Sequence, residues 1–150
     1  MINPTARISL DCKLGKNVNI WNFALIRGNA KIGNEVSIGS YTEIAHDVII
    51  GNKVRIHSKC FIPEHTRIKD KVWLGPCVTI VNDLHPQTNG KYRKGIKIGK
   101  GAIIGANSTL MADIGANAVI GAGAVITKKV PKGQTWIGNP GRRLNEDKTV

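Results

Sequence analysis

Large aliphatic residues recur at every sixth position over the first half of the chain. Thirteen successive positions of this series, from Ile8 to Ile80, hold isoleucine or leucine. The position two residues before each holds a small or β-branched residue, as at Cys12 and Val78. The series resumes at Ile98 and runs to Ile126, with one shorter step. Such regularity indicates an internal repeat, which decides the fold before any single element does.

A six-residue period favours short β-strands over helices. Because six is a multiple of the two-residue period of a strand, both repeated positions point to the same side. In an α-helix, with 3.6 residues per turn, the aliphatic residues would spread around the axis. Glycine often follows the aliphatic residue, as at Gly15, Gly39 and Gly75, where tight turns or close backbone approach favour it. We predict stacked coils of short strands around one aliphatic column.

Two departures interrupt the repeat. Residues 81–95, VNDLHPQTNGKYRKG, separate Ile80 from the next hexads, and their proline, asparagine and glycine predict a protruding loop. Repeat proteins tend to place function on such excursions. The step from Leu110 to Ile114 has four residues instead of six, so one corner must be tightened there. We predict a single domain, residues 1–150, with this loop and a C-terminal tail at 128–150.

The repeats resemble those of the hexapeptide-repeat proteins. The stretch from Gly101 to Leu144 is similar to the C-terminal signature of their acyltransferases, with glycine- and alanine-rich coils, then TKKVP and GNP. The resemblance implies an all-β fold, a left-handed parallel β-helix with three hexads per coil and about six coils here. It also implies an acyl-CoA-dependent enzyme that works as a homotrimer, with sites between neighbouring subunits.

Composition narrows the possible partners. No run of 18 apolar residues occurs, which argues against a membrane span, and the N-terminus does not resemble a secretory signal. Cys12, Cys60 and Cys77 cannot all pair and form no C-x-x-C unit, which favours reduced thiols and a cytoplasmic location. The net charge of +12 predicts attraction to anions. Nucleic acid is a poor candidate because basic residues are dispersed and aromatic residues are few.

The loop contains the sharpest chemical signal, a histidine followed by proline at His85. An amine or hydroxyl that attacks a thioester must lose a proton, and imidazole titrates near neutral pH. The dipeptide resembles the catalytic His-Pro of sugar and xenobiotic acetyltransferases, which implies that His85 is the general base. The alternatives are that His85 orients the substrate or only shapes the loop.

A second resemblance concerns the acceptor. The pair Asn82-Asp83, with Phe61-Ile62-Pro63-Glu64 one coil earlier, is similar to N-acetyltransferases of nucleotide-linked 3-amino sugars, which serve surface-polysaccharide precursors. It implies that Asn82 holds the attacking amine and that Glu64 and Asp83 line the acceptor pocket. His65 is a further lining candidate. Arg93, with Lys91 and Lys94, is a candidate for diphosphate contact, because Gln87 stands where a basic residue is expected.

The acyltransferase resemblance also implies a site for acetyl-CoA as co-substrate. Small residues would let the pantetheine lie against the backbone, and basic residues would hold the phosphates. Trp136 would cover the adenine or the pantetheine. The alternatives are ordinary corner residues, a solvated basic end and a packing role for Trp136. The remaining candidates are Gly105, Ala106, Gly121, Ala122, Gly123, Lys128, Lys129 and Arg142.

These observations favour transfer of acetyl from acetyl-CoA to the amino group of a sugar, nucleotide-linked or simple. O-acetylation of a simple sugar or another small molecule is the alternative, and a non-catalytic β-helix scaffold is another. The segment Trp21 to Asn29 resembles the Arg-Gly-Asp coil of γ-class carbonic anhydrases, but Asn29 replaces the acid. The four histidines also lack the five-residue spacing of those zinc sites. We expect no metal.

Overall fold

The computed structural model describes residues 1–91 and 93–145, and they form very short β-strands around one axis. A single 3₁₀ turn, Pro86–Thr88, interrupts the strands. The strands are β1 (Arg7–Ile8), β2 (Lys13–Leu14), β3 (Asn19–Ile20), β4 (Leu25–Ile26), β5 (Lys31–Ile32), β6 (Ser37–Ile38), β7 (Glu43–Ile44), β8 (Ile49–Ile50), β9 (Arg55–Ile56), β10 (Phe61–Ile62), β11 (Arg67–Ile68), β12 (Trp73–Leu74), β13 (Thr79–Ile80), β14 (Lys97–Ile98), β15 (Ile103–Ile104), β16 (Thr109–Leu110), β17 (Val119–Ile120), β18 (Val125–Ile126), β19 (Thr135–Ile137) and β20 (Arg142–Arg143).

The strands stack into three parallel sheets that form a solenoid. Sheet 1 has the order β1-β4-β7-β10-β13-β16-β18, sheet 2 the order β2-β5-β8-β11-β14, and sheet 3 the order β3-β6-β9-β12-β15-β17-β19-β20. Residues eighteen apart pair directly in the lower coils, as Ile8 does with Ile26. Bridges at Ile114 and Val130 extend sheet 2 to the top, and only β20 runs antiparallel. The predicted parallel β-helix is confirmed, with seven coils instead of about six.

The core is a single column of the predicted aliphatic residues. Ile20, Ile38 and Ile62 are completely buried, because each inward side chain is covered by its equivalents in the coils above and below. The small residues two positions earlier are also buried, Ala24 and Cys60 among them. Their rows fill the corners of the triangular section, so apolar burial along the whole column stabilises the solenoid.

The corners use glycine differently from a simple turn. The residue three positions after the inward aliphatic has a positive φ at nearly every corner, and it is usually not glycine, as at Phe23 (56°) and Tyr41 (59°). Glycine instead follows the aliphatic residue directly. A Cβ on Gly39 or Gly105 would collide with the backbone of Ser58 or Ala122 in the next coil. Close coil stacking is therefore the reason for these glycines.

The solenoid has three corners, and two of them carry most of the predicted site residues. The loop corner joins sheet 1 to sheet 2 and holds residues 9–12, 27–30, 45–48, 63–66, 81–96, 111–113 and 127–129. The glycine corner joins sheet 3 to sheet 1 and holds residues 21–24, 39–42, 57–60, 75–78, 105–108 and 121–124.

Shortened steps at the loop corner account for the seventh coil. The predicted short step from Leu110 to Ile114 lies there, and an unpredicted one from Ile126 to Val130 lies directly next to it. Sixteen residues thus separate Ile98 from Ile114 and Ile114 from Val130. Val130 and β19 belong to the seventh coil, although they fall within the predicted tail at 128–150. Residues 146–150 of that tail lie outside the described residues.

Candidate functional site

The base of the loop is tied to the coil below it. Residues 81–95 leave the solenoid after β13 and return before β14. The Asn82 side chain donates from Nδ2 to the Glu64 carbonyl oxygen at 3.3 Å. The Lys94 N–H donates to the Asn82 carbonyl oxygen at 3.2 Å. Gly95 passes so close to the His65 carbonyl that a Cβ would collide with it. Both ends of the loop are therefore held against residues 64 and 65.

An ion cluster of three side chains lies at the same place. Arg93 Nη1 is 2.7 Å from Glu64 Oε1, and Arg93 Nε is 3.2 Å from Asp83 Oδ2. The two carboxylate side chains are only 16% and 17% exposed, against 48% for Arg93. Asp83 Oδ1 also accepts the backbone N–H of His85 at 3.2 Å. The cluster thus links the loop histidine to the solenoid.

Electrostatics reinforce this cluster. Burial acts to raise the pKa of Glu64, but hydrogen bonds from its own backbone, Arg93 and Asn82, with the charge of Arg93, outweigh it and lower the pKa. Hydrogen bonds to Asp83 and Glu64 raise the pKa of Arg93 in turn. The lowered pKa of Glu64 and the raised pKa of Arg93 both favour the charged forms that make this ion pair.

His85 lies on an exposed part of the loop, immediately before the 3₁₀ turn. Its carbonyl oxygen accepts hydrogen bonds from the Thr88 N–H at 3.0 Å and the Thr88 hydroxyl at 2.8 Å. Pro86 begins the turn, where a missing N–H costs nothing. These contacts, with the one from Asp83, fix the backbone of His85, so its imidazole is presented from a defined position.

A cavity of about 640 Å³ lies between the loop and the two shortened steps. Because each shortened step lacks two residues, the solenoid surface recedes there and leaves room under the loop. The walls include apolar side chains such as Leu84 and Met111, whereas the polar groups Asn82, His85 and Lys129 also reach it. The full lining is Val81, Asn82, Leu84, His85, Lys94, Gly95, Ile96, Met111, Ala112, Asp113 and Lys129. Such an apolar cleft with a few polar groups is typical of a small-molecule site.

The structure divides the predicted site residues into two groups. Asn82 and His85, expected to be catalytic, line the cavity together with Lys129, which was expected to hold the cofactor. The candidates for acceptor contact, Glu64, Asp83 and Arg93, do not line it and bind one another instead. Lys94, also expected to contact a diphosphate, lines the cavity as well, whereas Leu84, Met111, Ala112 and Asp113 were not predicted as site residues. The short step from Leu110 was a signal for the last three.

The other loop-corner histidine candidate, His65, lies one coil below the loop. It is exposed, and its ring centre is 5.8 Å from that of His46. His46 Nδ1 is 2.7 Å from Asp47 Oδ2, and this hydrogen bond lowers the pKa of Asp47. His65 therefore contributes to a polar patch under the base of the loop and is not part of the cavity lining.

The expected cofactor residues of the glycine corner lie at a different edge of the solenoid. Ala106 and Gly121–123 share this corner with Gly105. Their backbone groups are largely used in coil stacking: the Gly105 N–H donates to the Ile120 oxygen and the Gly123 N–H to the Ala106 oxygen, both at 2.8 Å. Coil packing alone accounts for Gly105. Ala122 and Gly123 are exposed and accessible to a ligand.

The basic and aromatic candidates are spread over the top of the solenoid. Lys128 is exposed at the loop corner. Trp136 is half-buried, packs against the end of the core and donates from Nε1 to Gln134 Oε1 at 2.9 Å. Arg142 is exposed in β20. One copy of the chain therefore does not gather the expected acetyl-CoA contacts at a single place.

Two features are absent from the described residues. No group of three or more histidine, cysteine, aspartate or glutamate side chains among them could hold a metal ion. None of their helices is long and apolar enough to cross a membrane.

Sequence comparison with protein families identifies the repeat. Residues 29–64 match the bacterial transferase hexapeptide model (six repeats), and residues 95–128 match the model for the hexapeptide repeat of succinyl-transferase. Both matches identify the repeats of this chain as the hexapeptide repeats of bacterial transferases. No curated protein matches this chain.

Solved structures support the same fold. The chain is similar to the acetyltransferase domain of PglB from Neisseria gonorrhoeae, in complex with acetyl coenzyme A, with 20% identity, a TM-score of 0.59 and 95% of this chain covered. It spans 56% of the length of that PglB chain. It is also similar to the product of the BC4754 gene of Bacillus cereus, with 25% identity, a TM-score of 0.68 and coverage of 94% and 77% of the two chains. A point mutant of AntD, an N-acyltransferase from Bacillus cereus in complex with dTDP and coenzyme A, has 21% identity, a TM-score of 0.76 and coverage of 89% and 82%.

Proposed function

We propose that this protein transfers an acetyl group from acetyl-CoA to the amino group of a nucleotide-linked sugar. The observation that carries the proposal is the placement of His85 and Asn82 on one cavity of a hexapeptide-repeat transferase. Similarity to the PglB domain, solved with acetyl coenzyme A, and to AntD, an N-acyltransferase solved with dTDP and coenzyme A, supports the donor and the acceptor class.

The geometry suggests distinct roles for the two polar residues. The Asn82 amide nitrogen donates to the Glu64 carbonyl, so its side-chain oxygen is available to accept a hydrogen bond from the acceptor amine. The amine nitrogen attacks the thioester carbonyl, the new C–N bond forms, and the C–S bond breaks to release CoA. His85 takes the proton that the amine loses. A positioned base of this kind contributes about 10²–10⁴-fold in rate.

Charge supports an acceptor that carries phosphate. Lys94 and Lys129 both line the cavity, and the chain has a net charge of +12. An ammonium group attracts phosphate as a point charge. The apolar walls at Leu84 and Met111 suit the less polar part of a sugar. These residues replace Arg93 as candidates for diphosphate contact, since both carboxylates of the ion cluster engage Arg93.

We further infer that the working form is a homotrimer. The cavity lies at the loop corner, whereas Ala122 and Gly123 lie at the glycine corner of the same chain. If a second copy brings its glycine corner to the loop of the first, acetyl-CoA can lie between them and reach His85. We place the protein in the cytoplasm, since its three cysteines are free.

O-acetylation of a simple sugar is the second candidate, and a specific observation favours it. A hydroxyl acceptor must be deprotonated, and His85 is presented at the cavity with its backbone fixed. An amine that enters the site uncharged depends less on such a base. The choice between amine and hydroxyl therefore requires measurement.

The deciding experiment is release of CoA thiol from acetyl-CoA in the presence of UDP- and dTDP-linked 3-amino and 4-amino sugars. The control for each is the corresponding hydroxyl sugar, and the control protein is His85→Ala. Release with an amino sugar and none with its hydroxyl counterpart would establish N-acetylation. Release only with hydroxyl sugars would replace the proposal with the second candidate. No release with any acceptor, despite acetyl-CoA binding by calorimetry, would contradict the proposal and leave O-acetylation of a simple sugar as the candidate.

A further inference from the structure

A continuous series of contacts runs from the fourth coil to the loop histidine. Glu64 binds Arg93, Arg93 binds Asp83, and Asp83 accepts the backbone N–H of His85. The first two contacts are ion pairs of 2.7 and 3.2 Å, and the third joins a carboxylate to an amide. Arg93 is the middle member, because its guanidinium touches both carboxylates.

In this position, the single positive charge of Arg93 faces the negative charges of two carboxylates. Glu64 and Asp83 are both largely shielded from water and both lie within bonding distance of one guanidinium. If the guanidinium were removed, two carboxylates would face each other without a cation, and their repulsion would separate them. Asp83 and the His85 backbone bound to it would then move with the loop, while Glu64 would stay on the solenoid.

The geometry of the guanidinium also matters. Its Nε atom donates to Asp83 and its Nη1 atom donates to Glu64 at the same time. A lysine ammonium carries a similar charge on one atom and lacks this planar, rigid arrangement of donors. Lysine at this position would retain the single positive charge and would hold only one of the two carboxylates well.

We propose that Arg93 is a positioning residue that clamps the loop to the solenoid and thereby holds His85 at the cavity. This inference rests on the proposed function, which makes His85 the base that accepts the proton of the acceptor. It assigns Arg93 a role different from the diphosphate contact expected from the sequence. A phosphate at Arg93 would find Nε and Nη1 already bound to carboxylates and would have to approach two negative charges to reach the remaining donors.

The test compares Arg93→Gln and Arg93→Lys with Arg27→Gln. Arg27 forms an exposed ion pair of 2.8 Å with Glu43 at the same corner, two coils below the cluster, so its removal controls for the loss of a surface pair. Chymotrypsin measures release of the loop, since Leu84 and Tyr92 remain in every variant. This readout requires no substrate, so it can be scored even if the proposed acetyl transfer is wrong.

We expect Arg93→Gln to raise the rate of loop cleavage at least tenfold and to lower kcat about tenfold or more. We expect KM for the nucleotide sugar to change less than threefold and the calorimetric Kd for acetyl-CoA to stay unchanged. Arg93→Lys should recover part of kcat and of the protection from cleavage. Arg27→Gln should match the wild type in all four measurements.

Two results would overturn the proposal. An increase in KM with kcat and loop protection unchanged would assign Arg93 to ligand binding. Unchanged cleavage in Arg93→Gln would show that the cluster does not hold the loop. If cleavage rises but no acceptor supports acetyl transfer, the clamp stands and the proposed function fails.

Discussion

The loop corner and the glycine corner are built on the same coils and yet differ in nearly every respect. At the glycine corner, the steps are uniform, as from Ile104 to Leu110 and from Ile120 to Ile126, and backbone hydrogen bonds join each coil to the next. At the loop corner, one step carries a long insertion, and the two steps next to it are short. The acidic residues Asp47, Glu64 and Asp83 also lie there.

This contrast shows how a repeat acquires a binding site. A uniform corner is a stack of equivalent residues, and the recess of about 570 Å³ beside the lower glycine corner is lined mostly by polar residues. An insertion beside two deletions creates both a wall and an empty volume, here a cavity of about 640 Å³. The rigid column of isoleucine residues beneath supports the irregular part, so local irregularity does not cost the fold its core.

The largest expected effect is a loss of kcat/KM on removal of His85 at the loop corner, compared with removal of a histidine at the glycine corner. His85→Ala should lower kcat/KM by about 10²–10⁴-fold, because the base that accepts the proton is lost. His57→Ala, which removes an exposed histidine from the glycine corner, should leave kcat/KM unchanged. Steady-state kinetics on both purified variants tests the pair. A loss below tenfold in a folded His85→Ala protein would limit His85 to orientation.

A second experiment tests whether the glycine corner is a packing device. Gly105→Ala places a methyl group against the backbone of Ala122 and should lower the free energy of unfolding by about 1–3 kcal/mol. Gly123→Asn is the matched control, because Gly123 has open space and a φ of +71° that asparagine tolerates. Urea denaturation should show a smaller loss for the control. Equal losses would mean that stacking is not the reason for Gly105.

A matched pair of phenylalanine substitutions tests which substrate binds at each corner. Ala112→Phe fills part of the cavity at the loop corner and should raise KM for the acceptor about tenfold, the scale of a modest misfit in a pocket. Ala122→Phe at the glycine corner should instead raise KM for acetyl-CoA. Kinetics with one substrate varied at a time distinguishes them. An exchange of the two effects would reverse the proposed arrangement of donor and acceptor.

The smallest effect is the pH dependence of the ion cluster. The pKa of Glu64 is lower in the folded protein than its ordinary value. The ionised Glu64 carboxylate therefore stabilises the folded protein at pH values above that ordinary pKa. This stabilisation is lost as the pH falls through the folded pKa. The urea midpoint of the wild type should therefore decline toward acidic pH more steeply than that of Glu64→Gln. Parallel curves over pH 3 to 7 would indicate that Glu64 contributes nothing to this decline.

Prediction from the sequence succeeded where the chain is periodic and was incomplete where it is not. The hexad series predicted the parallel sheets and the aliphatic core, and it located the short step after Leu110. It did not reveal the second short step, because Val130 breaks the isoleucine and leucine series and the step was read as part of a tail. This omission explains why the fold has seven coils and the prediction about six.

The contacts of the loop residues could not be predicted from the hexad series. A spacing of eighteen residues places Glu64 next to Asn82 in the following coil, and the structure contains that contact. Arg93 has no position in the period, so its pairing with Glu64 and Asp83 was not predicted. The cavity likewise depends on how far the loop extends over Met111 and Ala112.

The sequence by itself thus determined the solenoid, since in a stacked repeat each residue meets the residues one coil away. Neighbours in space then follow from arithmetic along the chain, and one rule of burial applies to every coil. Only the tertiary structure decided the course of the loop, the ion cluster and the cavity. An irregular segment has no period, so its contacts depend on the balance of charge, hydrogen bonding and packing in three dimensions.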